Sequence, residues 1–146
     1  NTNYKVSPPL RTKADCEALI EGLKDGTIDM VTSDHNPMDI EHKKVEFDHA
    51  KYGSIGLESA FGALNRIFAI KKTVELLTKG KERFGLESSS ITIGSQADLS
   101  LFNPNGEFEF SKENILSSSK NAIFLNHKLK GKAYGIISNN QLILHP

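Results

Sequence analysis

The stretch Asp34-His35-Asn36-Pro37 holds the side chains best suited to chemistry. A short β-branched run, residues 28–33, gives way there abruptly to polar groups. In parallel α/β sheets, functional groups gather where strands end at their carboxyl edge. A carboxylate at such a place can ligate a metal or move a proton. An Asx-turn, in which Asp34 and Asn36 tie down their own loop, accounts for the same residues with no chemistry at all. Spacing alone leaves both open.

His35, His42 and His49 recur at seven-residue intervals and suggest a metal triad. On a helix, seven residues advance ~10.5 Å, too far for three ligands to share one ion held at ~2.1 Å. Pro37 and the charges around it favour an exposed loop instead. His127 and His145 have no partner pattern. The sequence contains no His-x-His, no Cys-x-x-Cys, no glycine-rich phosphate cradle and no Gly-x-Ser-x-Gly elbow.

The elements that must position Asp34 can be read on either side of it. Residues 5–11 carry two prolines and must be extended. Thr12 and Asp15 form a capping box, which predicts a helix to about Lys24 that buries Cys16, Leu19, Ile20 and Leu23. Asp25-Gly26 stops it, and residues 28–33 follow as a buried parallel strand. Residues 38–54 read as charged loop with a helical turn near 46–51. From Gly56, the residues Leu57, Ala60, Phe61, Leu64, Ile67 and Phe68 keep the spacing of a buried helix face. A second helix is expected over 73–79.

After Gly85 the pattern becomes β. Strands are expected at 91–93, 99–102, 108–110, 133–138 and 141–144. Turns are expected at Asn103-Pro104-Asn105-Gly106 and Asn139-Asn140. The chain therefore divides into an α/β portion, 1–84, and a β-rich portion, 85–146, with the serines at 88–90 near the boundary.

Bulk properties narrow the function. The 146 residues carry 18 Lys and Arg against 18 Asp and Glu, which removes the electrostatic case for nucleic acid or an anionic membrane. No apolar run approaches the ~20 residues of a membrane span. The single cysteine, Cys16, reads as a small core residue in a reducing compartment, so a cytoplasmic location is expected.

Taken together, several motifs resemble the dihydroorotases of the amidohydrolase superfamily. They are Lys5-Val6-Ser7-Pro8-Pro9-Leu10-Arg11, Asp25-Gly26-Thr27-Ile28-Asp29, Thr32-Ser33-Asp34-His35-Asn36-Pro37, Glu46-Phe47 and Gly56-Leu57-Glu58. Ile93-Gly94-Ser95-Gln96-Ala97-Asp98-Leu99 and Lys128-Leu129-Lys130-Gly131-Lys132 continue the likeness in the family's order. The resemblance implies an α/β fold: the C-terminal portion of a (β/α)8 metallo-dependent hydrolase barrel plus part of a small β-sandwich satellite domain. It implies zinc as cofactor and a cyclic amide as substrate, interconverting dihydroorotate and N-carbamoyl-aspartate in pyrimidine synthesis. Asp34 matches the aspartate that ends the eighth barrel strand, binds metal and takes the proton of the attacking water. Ser7, Met38, Tyr52 and Gly53 match substrate-binding positions.

Two departures stand out. The family usually has Asn where Ser7 stands, and His where Met38 stands. Methionine can neither carry charge nor donate a hydrogen bond to a substrate carboxylate. Three functions follow for a protein carrying this chain. One is a dihydroorotase with an altered carboxylate grip. Another is a non-catalytic relative that partners aspartate carbamoyltransferase, and the third a hydantoinase- or allantoinase-type ureide hydrolase. A homodimer is also in keeping with the family. The remaining metal ligands fall outside these residues, so 1–146 alone is expected to be inactive. Its strand at 28–33 would lack neighbours on both sides, so self-association, or partial disorder before about residue 56, is expected as well.

Overall fold

The computed structural model describes residues 1–86 and 90–145. Ser88 and Ser89, part of the serine run near the expected boundary, lie outside the described residues. Helices fill the first portion: α1 (Lys13–Asp25), a short α2 (Ile40–Lys43), α3 (Leu57–Ile67), α4 (Ile70–Thr78) and the short α5 (Gly80–Arg83). A three-stranded antiparallel sheet, β1 (Leu99–Glu109), β2 (Lys128–Ser138) and β3 (Gln141–Leu144), fills the second. The architecture is α/β, as the sequence implied.

Helix α1 begins where its capping box says it must. The Thr12 hydroxyl accepts from the Asp15 N–H, and the Asp15 carboxylate accepts from the Thr12 N–H. Gly26, in the left-handed region at φ 88°, ends the helix. Its buried face is narrower than its apolar pattern. Ile20 and Leu23 pack against a cluster of Leu64, Phe68 and Leu76. Cys16 and Leu19 are exposed, which corrects the expectation that both are buried. The spacing marks an apolar face, but only one edge of it meets α3 and α4.

Residues 28–33 are extended but carry no strand ladder. Val31 donates its N–H to the Leu76 carbonyl at the end of α4, and one parallel bridge, His35 to Ser54, follows Asp34. A parallel strand needs neighbours whose main chains run beside it. Among the described residues none lies next to 28–33, so the expected strand is a single extended segment.

The sheet is better predicted than its separate strands. Asn139 and Asn140, at φ 49° and 59°, turn β2 directly into β3, as the two-residue hairpin signal requires. The two strands expected at 99–102 and 108–110 are one strand, β1. The intervening Asn103-Pro104-Asn105-Gly106 shifts its register against β2 as a bulge instead of turning the chain back. Residues 91–93 are not a strand, and Ile91 and Ile93 are fully exposed. Their β-branched composition suits a sheet, but among the described residues β1 pairs only with β2. Two other expectations need extension: α4 begins at Ile70 instead of Thr73, and α2 lies within the expected loop. The helical turn near 46–51 is present, where the His49 and Ala50 N–H groups reach the Glu46 carbonyl.

Helix α3 joins the two portions. Its Phe61 ring packs 4.9 Å from that of Phe102 in β1. Asn65, also on α3 and nearly buried, donates to the Pro104 and Lys130 carbonyls across the sheet. Beneath this contact Ile55, Phe110, Ile115, Ala122 and Leu129 form the best-buried cluster. Ile55 enters it by pairing with Ala122 just before α3 begins.

Candidate active site

Asp34 stands at the end of the extended segment in the left-handed region, at φ 41°. Only Asp and Asn among ordinary side chains visit that region with any ease. Its carboxylate is exposed, and no hydrogen bond or ion pair reaches it among the described residues. It lines a cleft of about 500 Å³ with Ser7, Pro8, Ser54 and Gly56, walled by Val31, Ile55 and Leu129. The residues after it are held firmly, so the backbone at Asp34 is aimed by its neighbours.

Those restraints come from three directions. The Asn36 N–H donates to the Ser54 carbonyl at 2.9 Å. The His35 Nδ1 accepts from the N–H groups of Gly56 and Leu57 at 3.2 and 3.3 Å, capping the start of α3. Two N–H donors at Nδ1 leave the ring proton on Nε2, which faces the Ser117 Oγ at 3.5 Å. Gly56 is required here for space: a Cβ would stand 2.5 Å from the Ser33 carbonyl oxygen, so only glycine lets α3 begin against the Asp34 loop.

Ser117 passes the contact to Glu58. Its hydroxyl and N–H both donate to Glu58 Oε1, at 2.5 and 2.9 Å, while Glu58 Oε2 is buried with no partner among the described residues. Burial works to raise the Glu58 pKa, yet the Ser117 bonds, its own N–H and His35 together hold it below the ordinary range. The three side chains superficially suggest a nucleophile triad, but the order of bonds is wrong for one. His35 Nδ1 faces amide donors where a triad needs a carboxylate, and the serine proton is spent on Glu58. The group ties the Asp34 loop, α3 and the segment before β2 together.

The other sequence-derived site residues spread around this centre. Ser7, exposed, lines the same cleft as Asp34. Met38 lines a second cleft of about 890 Å³, with His35, Lys43 and Asn121. Its main chain is fixed at both ends, its N–H to the Asn121 Oδ1 at 3.1 Å and its carbonyl to the Ser119 hydroxyl. Gly53 is buried at φ 136°, where a Cβ would press within 2.9 Å of the Asn36 side chain. Tyr52, 55% exposed, lies with its ring centroid 5.1 Å from the Lys5 ammonium. The structure thus joins Asp34 with Ser7, and places Met38 and the Tyr52-Gly53 pair outside that cleft.

Two positioning residues are invisible in the sequence. Asn121, 5% exposed, accepts from Met38 and donates to the Asn36 and Gly53 carbonyls at 3.1 and 3.2 Å. Its own carbonyl accepts from the Ile55 N–H. Lys43, 4% exposed, donates to three carbonyls. One lies in a serine-rich loop and the other in a charged run, and neither context signals a hub.

Zinc does not fit these residues alone. Among the described residues no three His, Cys, Asp or Glu side chains converge closely enough to hold an ion. Catalytic zinc takes about three protein ligands, and Asp34 can be one of them.

No protein-family profile matches the chain. Curated relatives do. A dihydroorotase of Caldanaerobacter subterraneus subsp. tengcongensis is 41% identical over 148 residues, which cover 97% of this chain and 34% of the relative. A dihydroorotase of Caldicellulosiruptor saccharolyticus is 41% identical over 150 residues, covering 98% and 35%. The chain belongs to the dihydroorotase family. It spans about a third of the length of the curated relatives it matches. Among solved structures, a D-hydantoinase superposes with a TM-score of 0.83 at 24% identity, covering 99% of this chain and 34% of its own. An inactive dihydroorotase-like domain of a Chaetomium thermophilum CAD-like multifunctional protein superposes at 0.58 and 21% identity, covering 94% and 39%. Likeness at those identities speaks to the fold. No described helix is long and apolar enough to cross a membrane.

Proposed function

We propose that residues 1–146 act within a zinc-dependent cyclic amidohydrolase that opens and closes dihydroorotate. The carrying observation is Asp34: an unpartnered carboxylate, held in a left-handed backbone, opening on a cleft shared with Ser7. A carboxylate so placed can accept the proton of a water attacking the ring amide. Ser7 shares the Asp34 cleft, Tyr52 and Gly53, which lie outside it, join the substrate site on the family resemblance alone, and the remaining metal donors come from outside these residues. Sequence relatives named dihydroorotase support this substrate over hydantoin or allantoin.

Asp34→Asn tests the reading. Asparagine tolerates the same backbone and forfeits only the charge, so the fold should survive. In the complete protein, dihydroorotate turnover should fall about a thousandfold or more with the circular dichroism spectrum unchanged. Surviving turnover would reduce Asp34 to a turn residue. Wild-type protein offered dihydroorotate, hydantoin and allantoin separately ranks the substrates, and residues 1–146 with zinc should turn over none of them.

A second reading rests on Met38. With an apolar side chain where the family grips a carboxylate, the protein would be a non-catalytic partner of aspartate carbamoyltransferase. Wild-type protein that turns over no substrate but co-sediments with that enzyme would favour it.

A further inference from the structure

Lys43 closes α2 with its ammonium buried. It donates to the carbonyls of Thr2, Lys5 and Lys51 at 3.1, 3.3 and 2.8 Å. No ion pair with a carboxylate reaches it among the described residues. Burial, and next the nearby Lys5 charge, push its pKa below the ordinary lysine value. An unpaired buried ammonium is costly, so its retention points to geometry rather than to stability. Three converging carbonyls match its three donors one for one.

Those carbonyls belong to two segments far apart in the sequence. Thr2 and Lys5 lead into Ser7, and Lys51 leads into Tyr52 and Gly53. Further bonds close the ring. The Thr2 hydroxyl donates to the Lys43 carbonyl at 2.5 Å, and the Lys51 N–H to that of His42 at 3.1 Å. The Gly53 N–H donates to the Lys5 carbonyl at 3.0 Å, so that one oxygen serves Gly53 and Lys43 together. The Lys5 side chain reaches in the other direction, to the carbonyls of Phe47 and Asp48 at 2.8 and 2.7 Å and over the Tyr52 ring.

We propose that Lys43 is a positioning residue for substrate recognition: its ammonium clasps the Ser7 segment to the Tyr52-Gly53 segment and sets the spacing between them. The inference rests on the functional reading above, in which those segments meet the substrate. Lys43 itself touches no substrate. An arginine keeps the charge but spreads its donors over a plane, so it cannot converge on the same three oxygens.

The test is made on the complete protein with Lys43→Met and Lys43→Arg. Lys43→Met should raise KM for dihydroorotate about tenfold, with kcat changed by less than about threefold. Lys43→Arg should fall between it and wild type. By mass-spectrometric hydrogen exchange, the Gly53 amide should exchange at least about tenfold faster in Lys43→Met, with β2 unchanged. A merely structural loss would lower the amount of active enzyme and leave KM alone. Should Lys43→Met fail to fold, Lys43→Arg carries the same comparison. An active wild type whose KM is unmoved by either substitution overturns this proposal and spares the functional reading. A wild type that turns over no dihydroorotate overturns both.

Discussion

Replacing Asn121 should loosen the whole neighbourhood of Asp34, and the cost can be worked out bond by bond. In Asn121→Ala the Met38 N–H loses its acceptor at 3.1 Å, and the carbonyls of Asn36 and Gly53 lose donors at 3.1 and 3.2 Å. Each buried main-chain group left unmade costs about 1 kcal/mol net, so the substitution should cost about 3 kcal/mol. With a urea dependence of ~2 kcal/mol/M, the unfolding midpoint should move down by about 1.5 M. Asn121→Asp is the sharper variant because its shape is the same. It keeps the bond from Met38 but turns two donors into an oxygen facing two carbonyl oxygens. It should therefore cost at least as much as alanine. Urea titration followed by circular dichroism measures both, and the exchange rate of the Met38 amide reports the site itself. If Asn121→Asp unfolds within about 0.3 M of wild type, the assigned donor and acceptor directions are wrong, and the hub with them.

Two further outcomes follow from the packing and the electrostatics. Leu129→Ala removes a side chain only 2% exposed from the cluster with Ile55 and Phe110, and should cost about 3 kcal/mol; a loss under about 1 kcal/mol would mean the cluster collapses onto the gap. Glu58 has its pKa lowered in the fold, Ser117 and His35 outweighing burial, so its contribution is complete above the unfolded value of about 4.3 and is lost as pH falls through the folded one. Glu58→Gln should therefore flatten the fall in stability below about pH 5, and parallel wild-type and variant profiles would refute the assignment.

Local signals carried the sequence far. Thr12 and Asp15 specify the start of α1 because the donors they satisfy lie within three residues. Asn139-Asn140 specifies the hairpin because the turn needs two left-handed residues in a row. Signals about coverage did not travel as well. Cys16, Leu19, Ile91 and Ile93 have the composition of buried residues, yet nothing in their own neighbourhood says whether another element arrives to cover them. The segment at 28–33 has the composition of a strand, but a ladder belongs to two chains of residues and only one is written there. At the site, the place of Asp34 after an apolar run was legible, and its match with a known motif supplies the role that the proposed function assigns to it. Asn121 and Lys43 were not, because each acts on main-chain groups up to 85 residues away, and a carbonyl oxygen has no signature in the sequence.

The left-handed backbone at Asp34 also filters which residues can replace it. A β-branched or bulky side chain is excluded by strain before chemistry is consulted, which leaves Gly, Asn and Asp as low-strain occupants. A lineage relieved of catalysis would drift among those three at almost no cost to folding. Asparagine sits in that conformation at least as comfortably as aspartate, so the backbone has no preference for a negative charge. The backbone therefore does not itself call for the charge that Asp34 carries; under the function proposed above, that charge is what takes the proton of the attacking water.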